Sequence, residues 1–259
     1  MDEPVFVNVG DVPFVSTNRT AAASWIVNAG TDRLPISIRL PNSYSVALAS
    51  KDADYRAVLT GPGVNFPDGA PVAWIMRRGK SGDSKAQQVR GPSLFVDVLD
   101  RGRGAEIGHF FLGGSPDALA KLLATAHGRY PGIKISGSYS PPFGPLDHEF
   151  YAEAVQRIRK ADPDIVWIGL GTPKQDYAGA TITHRTGRPT VAVGAAFDFL
   201  AGTSKEAPRW LQETGFEWLF RLATEPKRLW RRYLVGNLKF IFAVIQIRDR
   251  GRRARIDQF

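Results

Sequence analysis

Between Ile36 and Val193 the chain repeats one pattern: a short apolar run, a turn, then a longer stretch with helical spacing. The runs fall at 36–40, 64–66, 107–112, 133–137, 165–170 and 190–193. Continuous apolar runs of this length suit strands buried on both faces, and a helix between two of them supplies the crossover that parallel neighbours need. The pattern predicts an α/β fold with a mostly parallel, Rossmann-like sheet and helices on both faces.

Helical spacing covers 17–29 and closes at Gly30. Ser43 is placed to cap a helix reaching about Thr60, which Gly61-Pro62-Gly63 ends. Further helices are expected over 70–78, onward from Ser115 or Asp117, and over 147–160. After residue 204 the character changes. Segments 207–222 and 227–247 both read as helices, the second opened by Pro226 in its favoured first turn. The expected organisation is an α/β core over 1–204 and a helical, basic appendage over 205–259.

Of the net charge of +9, +7 lies in 205–259, where 13 Lys/Arg meet 6 Asp/Glu. A basic end on a near-balanced body points to an anionic partner, nucleic acid or acidic lipid. Trp210, Trp218, Trp230, Tyr233, Phe240 and Phe242 interleave with that charge. Core packing is the stronger reading of the aromatics, and helices lying on acidic membrane surfaces share the composition. The least polar stretch, 233–247, is shorter than the roughly 20 residues a bilayer-spanning helix needs. The absence of cysteine excludes disulfides, thiolate metal sites and a cysteine nucleophile. The acidic start, Met1-Asp2-Glu3-Pro4, lacks the features of a secretory signal, so a cytoplasmic location is expected.

Ligands of open parallel sheets bind beyond the carboxyl ends of the strands. Gly113-Gly114 precedes a helix start and offers backbone amides to a phosphate, although glycine pairs are more often tight turns. In Gly169-Leu170-Gly171-Thr172-Pro173-Lys174-Gln175 the glycines admit a ligand close to the backbone, and Lys174 and Gln175 stand in the first helical turn as nucleotide contacts. Asp68, between Pro67 and Gly69, reads either as a turn aspartate or as a general base that takes a proton from a sugar hydroxyl. Asp198, after the run 190–193, is a second acid of the same kind. Asp52-Ala53-Asp54 looks like a metal-binding Asp-x-Asp pair. Within a predicted helix its side chains diverge by ~200°, so it reads as a solvated face and no metal is expected. The four histidines show no ligand spacing. Arg228, Arg231 and Arg232 share one helical face, with Arg221 shortly before, and clustered guanidiniums suit a diphosphate.

Taken in order, PDG at 67–69, FLGG at 111–114, PDIVWIGLGTPKQ at 163–175, VGAAFDFLAG at 193–202 and AP…GFEWLFRLATEPKRLWRRYLVGN at 207–237 resemble the WecG/TagA/CpsF family of bacterial glycosyltransferases, whose fold is called GT-E. The resemblance implies a metal-independent, inverting transfer, without cofactor, from a UDP-sugar to a polyprenyl-diphosphate-linked sugar at the inner face of the membrane. No nucleic acid is expected as a partner, and self-association stays open. The family's proposed base falls on Asp68, a pocket asparagine on Asn42 and its glutamine on Gln175. The arginines proposed to hold the diphosphate fall on Arg221, Arg228 and Arg231. The family pattern is broken at Leu40, where many members have threonine, and at Gln88, Ser93 and Glu206, where arginine, an acid and arginine are usual. Two other readings remain at this stage: a non-catalytic membrane-peripheral scaffold, and a nucleotide- or nucleic-acid-binding regulator.

Overall fold

The computed structural model describes residues 4–78, 83–230, 236 and 239–245, apart from the side chains of residues 213, 214 and 228. The chain enters through a hairpin, β1 (Phe6–Val9) against β2 (Val12–Val15), separate from the main sheet. The main sheet consists of β3 (Ser37–Arg39), β4 (Val64–Asn65), β5 (Gly108–Gly113), β6 (Lys134–Tyr139), β7 (Ile165–Gly169) and β8 (Thr190–Ala192). All neighbours are parallel, in the spatial order β4-β3-β8-β7-β5-β6. Every strand tip therefore points to one edge, where residues 40–42, 66–69, 113–114, 169–171 and 193–195 gather. The expected α/β class and parallel sheet are what the chain forms.

The helices of the core are α1 (Arg19–Thr31), α2 (Ser43–Ala49), α3 (Ala53–Thr60), α4 (Ala70–Arg78), α5 (Gly91–Gly102), α6 (Pro116–Arg129), α7 (His148–Ala161), α8 (Lys174–Thr186) and α9 (Ala196–Leu200). Strand residues alternate between the two faces. Phe111, Trp167 and Val191 pack with α1, α5, α6 and α9, whereas Phe110, Leu112, Val166 and Ile168 pack with α7 and α8. Burying side chains of this size stabilises by about 1.5–3 kcal/mol each, which is why the apolar runs dominate the sequence pattern. Ser115 and Asp147 cap α6 and α7 by accepting the N–H groups of Ala118 and Phe150.

Three expected helices differ in detail. The segment 43–60 forms two helices, because Asp52 accepts the Tyr55 N–H at 2.9 Å and starts α3 afresh. That bond also explains Asp52-Ala53-Asp54: a cap followed by an acid in the first turn, where the helix dipole favours it. Asn42, not Ser43, caps α2, and Asn18 caps α1 two residues later than expected. Segment 207–222 breaks into α10 (Arg209–Thr214) and α11 (Glu217–Thr224) at Gly215, whose φ of +82° suits only glycine comfortably. A Cβ there would stand 2.7 Å from the Ala70 Cβ, so the turn lies directly on the start of α4. The helix expected from Pro226 opens there as α12 (Pro226–Trp230), and residues 239–245 are helical.

The segment after 204 is packed on the core. Leu229 is buried, and Phe240 joins the cluster formed by β1, β2, α2, α3 and α4. No described helix is long and apolar enough to cross a membrane. Beneath the strand tips, the buried Arg39 guanidinium donates to the carbonyls of Val58, Gly61 and Pro62 at the end of α3. Asp176 of α8 is its counter-charge and accepts the Tyr55 hydroxyl at 2.8 Å. Burial lowers Arg39 to about 10, so it stays charged at neutral pH and ties β3, α3 and α8 together.

His109 on β5 is fully buried and accepts the Trp167 indole N–H at 3.0 Å. Burial depresses it to about 3, so the folded ring is neutral while the unfolded one charges near its ordinary 6.5. Stability from this site is complete above pH 6.5 and is lost as pH falls toward 3. His109→Gln, which keeps an acceptor for Trp167, should lose less stability than the parent between pH 6.5 and 4.5 in denaturant titrations. Parallel pH curves for the two chains would contradict this.

Candidate active site

The Pro67-Asp68-Gly69 turn is held from two sides. The Phe66 and Asp68 N–H groups donate to Arg39 and Pro41 carbonyls at 2.9 and 3.1 Å, and the Pro67 carbonyl accepts from Val89 at 2.8 Å. Asp68 then projects toward the start of α5, where its Oδ1 accepts the Gly91 N–H at 3.3 Å. A helix N-terminus favours a carboxylate, yet the balance runs the other way. Burial, reinforced by the Glu217 carboxylate, pushes Asp68 up to about 6, and the Gly91 N–H, Arg90 and Arg221 only partly offset it. Asp68 is half-buried, so its carboxyl still faces the space above the sheet.

That space is a cleft of about 800 Å³ at the strand tips. Asn42, Asp68, Gly171, Gln175, Asp198 and Arg221 all line it. A smaller recess of about 100 Å³ continues from it, sharing Asn42, Asp68 and Arg221 and adding Glu217 and Trp218 of α11. The appendage thus supplies walls for both spaces, with Leu229, Trp230 and Lys239 facing the larger one. Asn42 uses its Oδ1 to cap α2, accepting from Tyr44 and Ser45 at 3.0 and 3.3 Å. Gln175 is buried, and its Oε1 has no hydrogen-bond partner among the described residues. A Cβ on Gly194 would stand 3.6 Å from that oxygen, which places a buried acceptor against the glycine tip of β8. An unsatisfied buried acceptor is costly unless a ligand meets it. Asp198 holds the turn after α9 through its carbonyl, which accepts from Thr203 and Ser204.

Other expected contacts lie elsewhere. Lys174 is outside the cleft wall: its ammonium donates to the Gly144 carbonyl and sits 5.9 Å from the Phe143 and Phe150 rings. It braces the loop after β6. Gly113 and Gly114 are also outside the described cleft lining. At Gly113 (φ +123°) a Cβ would stand 2.5 Å from the Gly169 carbonyl oxygen, so the pair serves the close approach of two strand tips. Arg231 and the side chain of Arg228 are outside the described residues.

Sequence reasoning missed Tyr44, Arg90 and Glu217. Tyr44 faces both spaces, and its nearness to Asn42 was the available signal. Arg90 is buried and makes a two-pronged pair with Glu217, at 2.7 and 2.8 Å, and a further pair with Glu206 at 2.6 Å. Of the departures from the family pattern, Glu206 and Ser93 both become partners of Arg90, the latter at 3.1 Å.

The model of the glycosyl transferase WecG/TagA/CpsF family matches residues 7–254, nearly the whole chain. The chain belongs to this family. Among its relatives is the N-acetylglucosaminyldiphosphoundecaprenol N-acetyl-beta-D-mannosaminyltransferase of Bacillus subtilis (strain 168), 27% identical over 228 residues. The match covers 87% of this chain and 86% of that protein. The enzyme of the same name from Bacillus spizizenii is 29% identical over 199 residues, covering 76% and 74% of the two chains. The protein is therefore a glycosyltransferase. As a WecG/TagA/CpsF enzyme it carries its Pro-Asp-Gly turn in the wall of the cleft of about 800 Å³ at the strand tips.

A carboxyl whose folded pKa is raised costs stability as soon as the unfolded chain can ionise, and fully once the folded state ionises too. For Asp68 that cost is absent below pH 4, where both states are protonated, and complete above pH 6. Asp68→Asn, which can still accept the Gly91 N–H, should therefore stabilise the fold by about 1–3 kcal/mol at pH 7.5. The gain should vanish below pH 4, as read by chemical denaturation. A destabilised Asn variant at pH 7.5 would contradict the cost assigned to this charge.

Proposed function

We propose that the enzyme transfers a hexose or N-acetylhexosamine from a UDP-sugar to a polyprenyl-diphosphate-linked sugar in cell-surface polysaccharide assembly. One observation carries this reading: Asp68 of the core and Arg221 of the appendage line the same cleft. Both Bacillus relatives are named for transfer of a sugar onto a lipid-linked N-acetylglucosaminyl diphosphate, an acceptor with the same two needs, a base and a cation.

In the proposed reaction the donor lies along Gly171, Gln175, Gly194 and Asp198, where glycine tips admit a close approach and the Gln175 oxygen awaits a donor group. The acceptor diphosphate meets Arg221, with Arg228 and Arg231 as further cations from the same segment. Asn42 presents its amide nitrogen, since its oxygen is engaged in the cap. Asp68 takes the proton of the acceptor hydroxyl as that oxygen forms its bond to the anomeric carbon. The bond from that carbon to the UDP oxygen breaks from the opposite side, giving inversion, and the departing diphosphate keeps the electron pair. Cations and backbone amides stabilise the departing charge. A base near 6 is ionised at neutral pH yet remains a better proton acceptor than an ordinary aspartate.

Association with the membrane follows from the same segment. Trp210 and Phe242 are exposed on it, interleaved with its basic residues. Aromatic and cationic side chains together favour an anionic interface. We place the enzyme on the cytoplasmic face, where a nucleotide-sugar donor is available.

Purified Asp68→Asn should transfer sugar about 10²–10⁴-fold more slowly, assayed with synthetic lipid diphosphate-sugar and a panel of UDP-sugars. The parent's kcat/KM should fall as pH drops through about 6. Near-normal transfer by the variant removes Asp68 from this role, and no turnover by the parent with any donor favours the scaffold. Separately, replacing Trp210 and Phe242 by serine should weaken partitioning onto phosphatidylglycerol vesicles at least about tenfold. Unchanged partitioning would reject that surface. Point changes are preferable to truncation, because Phe240 is part of the core.

A further inference from the structure

Arg90 precedes α5 and is one of the few charged side chains among the described residues that is almost fully buried. Its guanidinium binds three segments at once. The Nε and Nη2 groups donate to the two oxygens of Glu217, the first residue of α11, at 2.7 and 2.8 Å. The Nη1 group pairs with Glu206 in the linker before α10 at 2.6 Å and donates to Ser93 in α5 at 3.1 Å. A two-pronged arginine–carboxylate pair fixes direction as well as distance. Glu217 lies one helical turn before Arg221, so fixing Glu217 aims Arg221 into the cleft. Both cations approach the ring of Phe199, which lies 5.7 Å from the Arg90 guanidinium and 5.5 Å from that of Arg221. Each guanidinium gains from the ring's π face.

The same residue stands beside the proposed base. The Gly91 N–H that Asp68 accepts belongs to the next residue in the chain. The charges facing Asp68 are Glu217 and Arg221 from α11 and Arg90 from the segment before α5. Asp198 of α9 and Lys239 of the last described helix line the same cleft. Glu217 is the acid that opposes ionisation of Asp68, and Arg90 is bonded to both of its oxygens. We infer that Arg90 is a positioning residue that latches α11, and with it Arg221, over the cleft while neutralising Glu217 beside Asp68. The kinetic part of this inference rests on Asp68 being the base; the latch does not.

The full chain is compared with Arg90→Gln, Arg90→Lys, Glu217→Gln and the double variant Arg90→Gln/Glu217→Gln. Two readouts are taken: amide hydrogen exchange across 217–224 and the pH profile of sugar transfer. Arg90→Gln should speed exchange there at least about tenfold and move the acidic limb upward by about one pH unit. Arg90→Lys keeps the charge but loses the fork, so exchange should rise while the limb stays near the parent's. In the double variant both charges are gone, so the limb should return to the parent's position or lower while exchange stays fast. Parent-like exchange in both Arg90→Gln and Arg90→Lys overturns the latch. A limb that does not move in Arg90→Gln, or is not restored in the double variant, overturns the neutralising role. If Arg90→Gln does not fold, Arg90→Lys and the double variant decide the matter. Should Asp68→Asn transfer normally, the base assignment fails, and the exchange measurements still decide the latch.

Discussion

A carboxylate held where its charge is costly organises the site. Asp68 is fixed by backbone bonds on both sides of its turn, aimed at the start of α5, and kept near Glu217. Left to itself such a group would turn outward to water. It stays because the turn is short, the strand beneath it is pinned by Arg39, and the appendage covers it. In the proposed reaction this makes Asp68 a poised proton acceptor rather than half of a stable salt bridge, with stability given up locally for chemistry.

The segment after residue 204 is as much a part of that site as the sheet. Phe240 seals it to the hairpin side, Gly215 lays its first turn on Ala70, and Arg90 holds α11 from beneath. Those contacts bring Arg221 to the carboxylate, and they leave an aromatic surface exposed on the outside. In the proposed arrangement one segment therefore faces lipid with one side and the lipid's diphosphate with the other.

Much of this was legible in the sequence, for physical reasons that differ from element to element. The parallel sheet was readable because double burial leaves continuous apolar runs with crossover helices between them. The position of Asp68 was readable because Pro-Asp-Gly after a strand allows few conformations. What stayed hidden depends on contacts distant along the chain. The break in 43–60 turned on whether Asp52 would cap or point outward. Lys174 was drawn to a carbonyl supplied by another loop, at Gly144. Arg90 drew no expectation at all, since nothing local shows that Glu206 and Glu217, more than a hundred residues later, would surround it. The same pairing gives Glu206 and Ser93 a structural reason that the family pattern alone does not.

The claim that joins these parts is that one bound molecule spans Asp68 and the appendage cations. It is tested most directly by a structure of the full chain with a non-transferable polyprenyl-diphosphate-linked sugar and UDP. The acceptor hydroxyl should lie within hydrogen-bond reach of the Asp68 carboxyl, about 2.6–3.2 Å, with the diphosphate against Arg221. A diphosphate bound on another surface, or an acceptor hydroxyl facing a different residue, would contradict it.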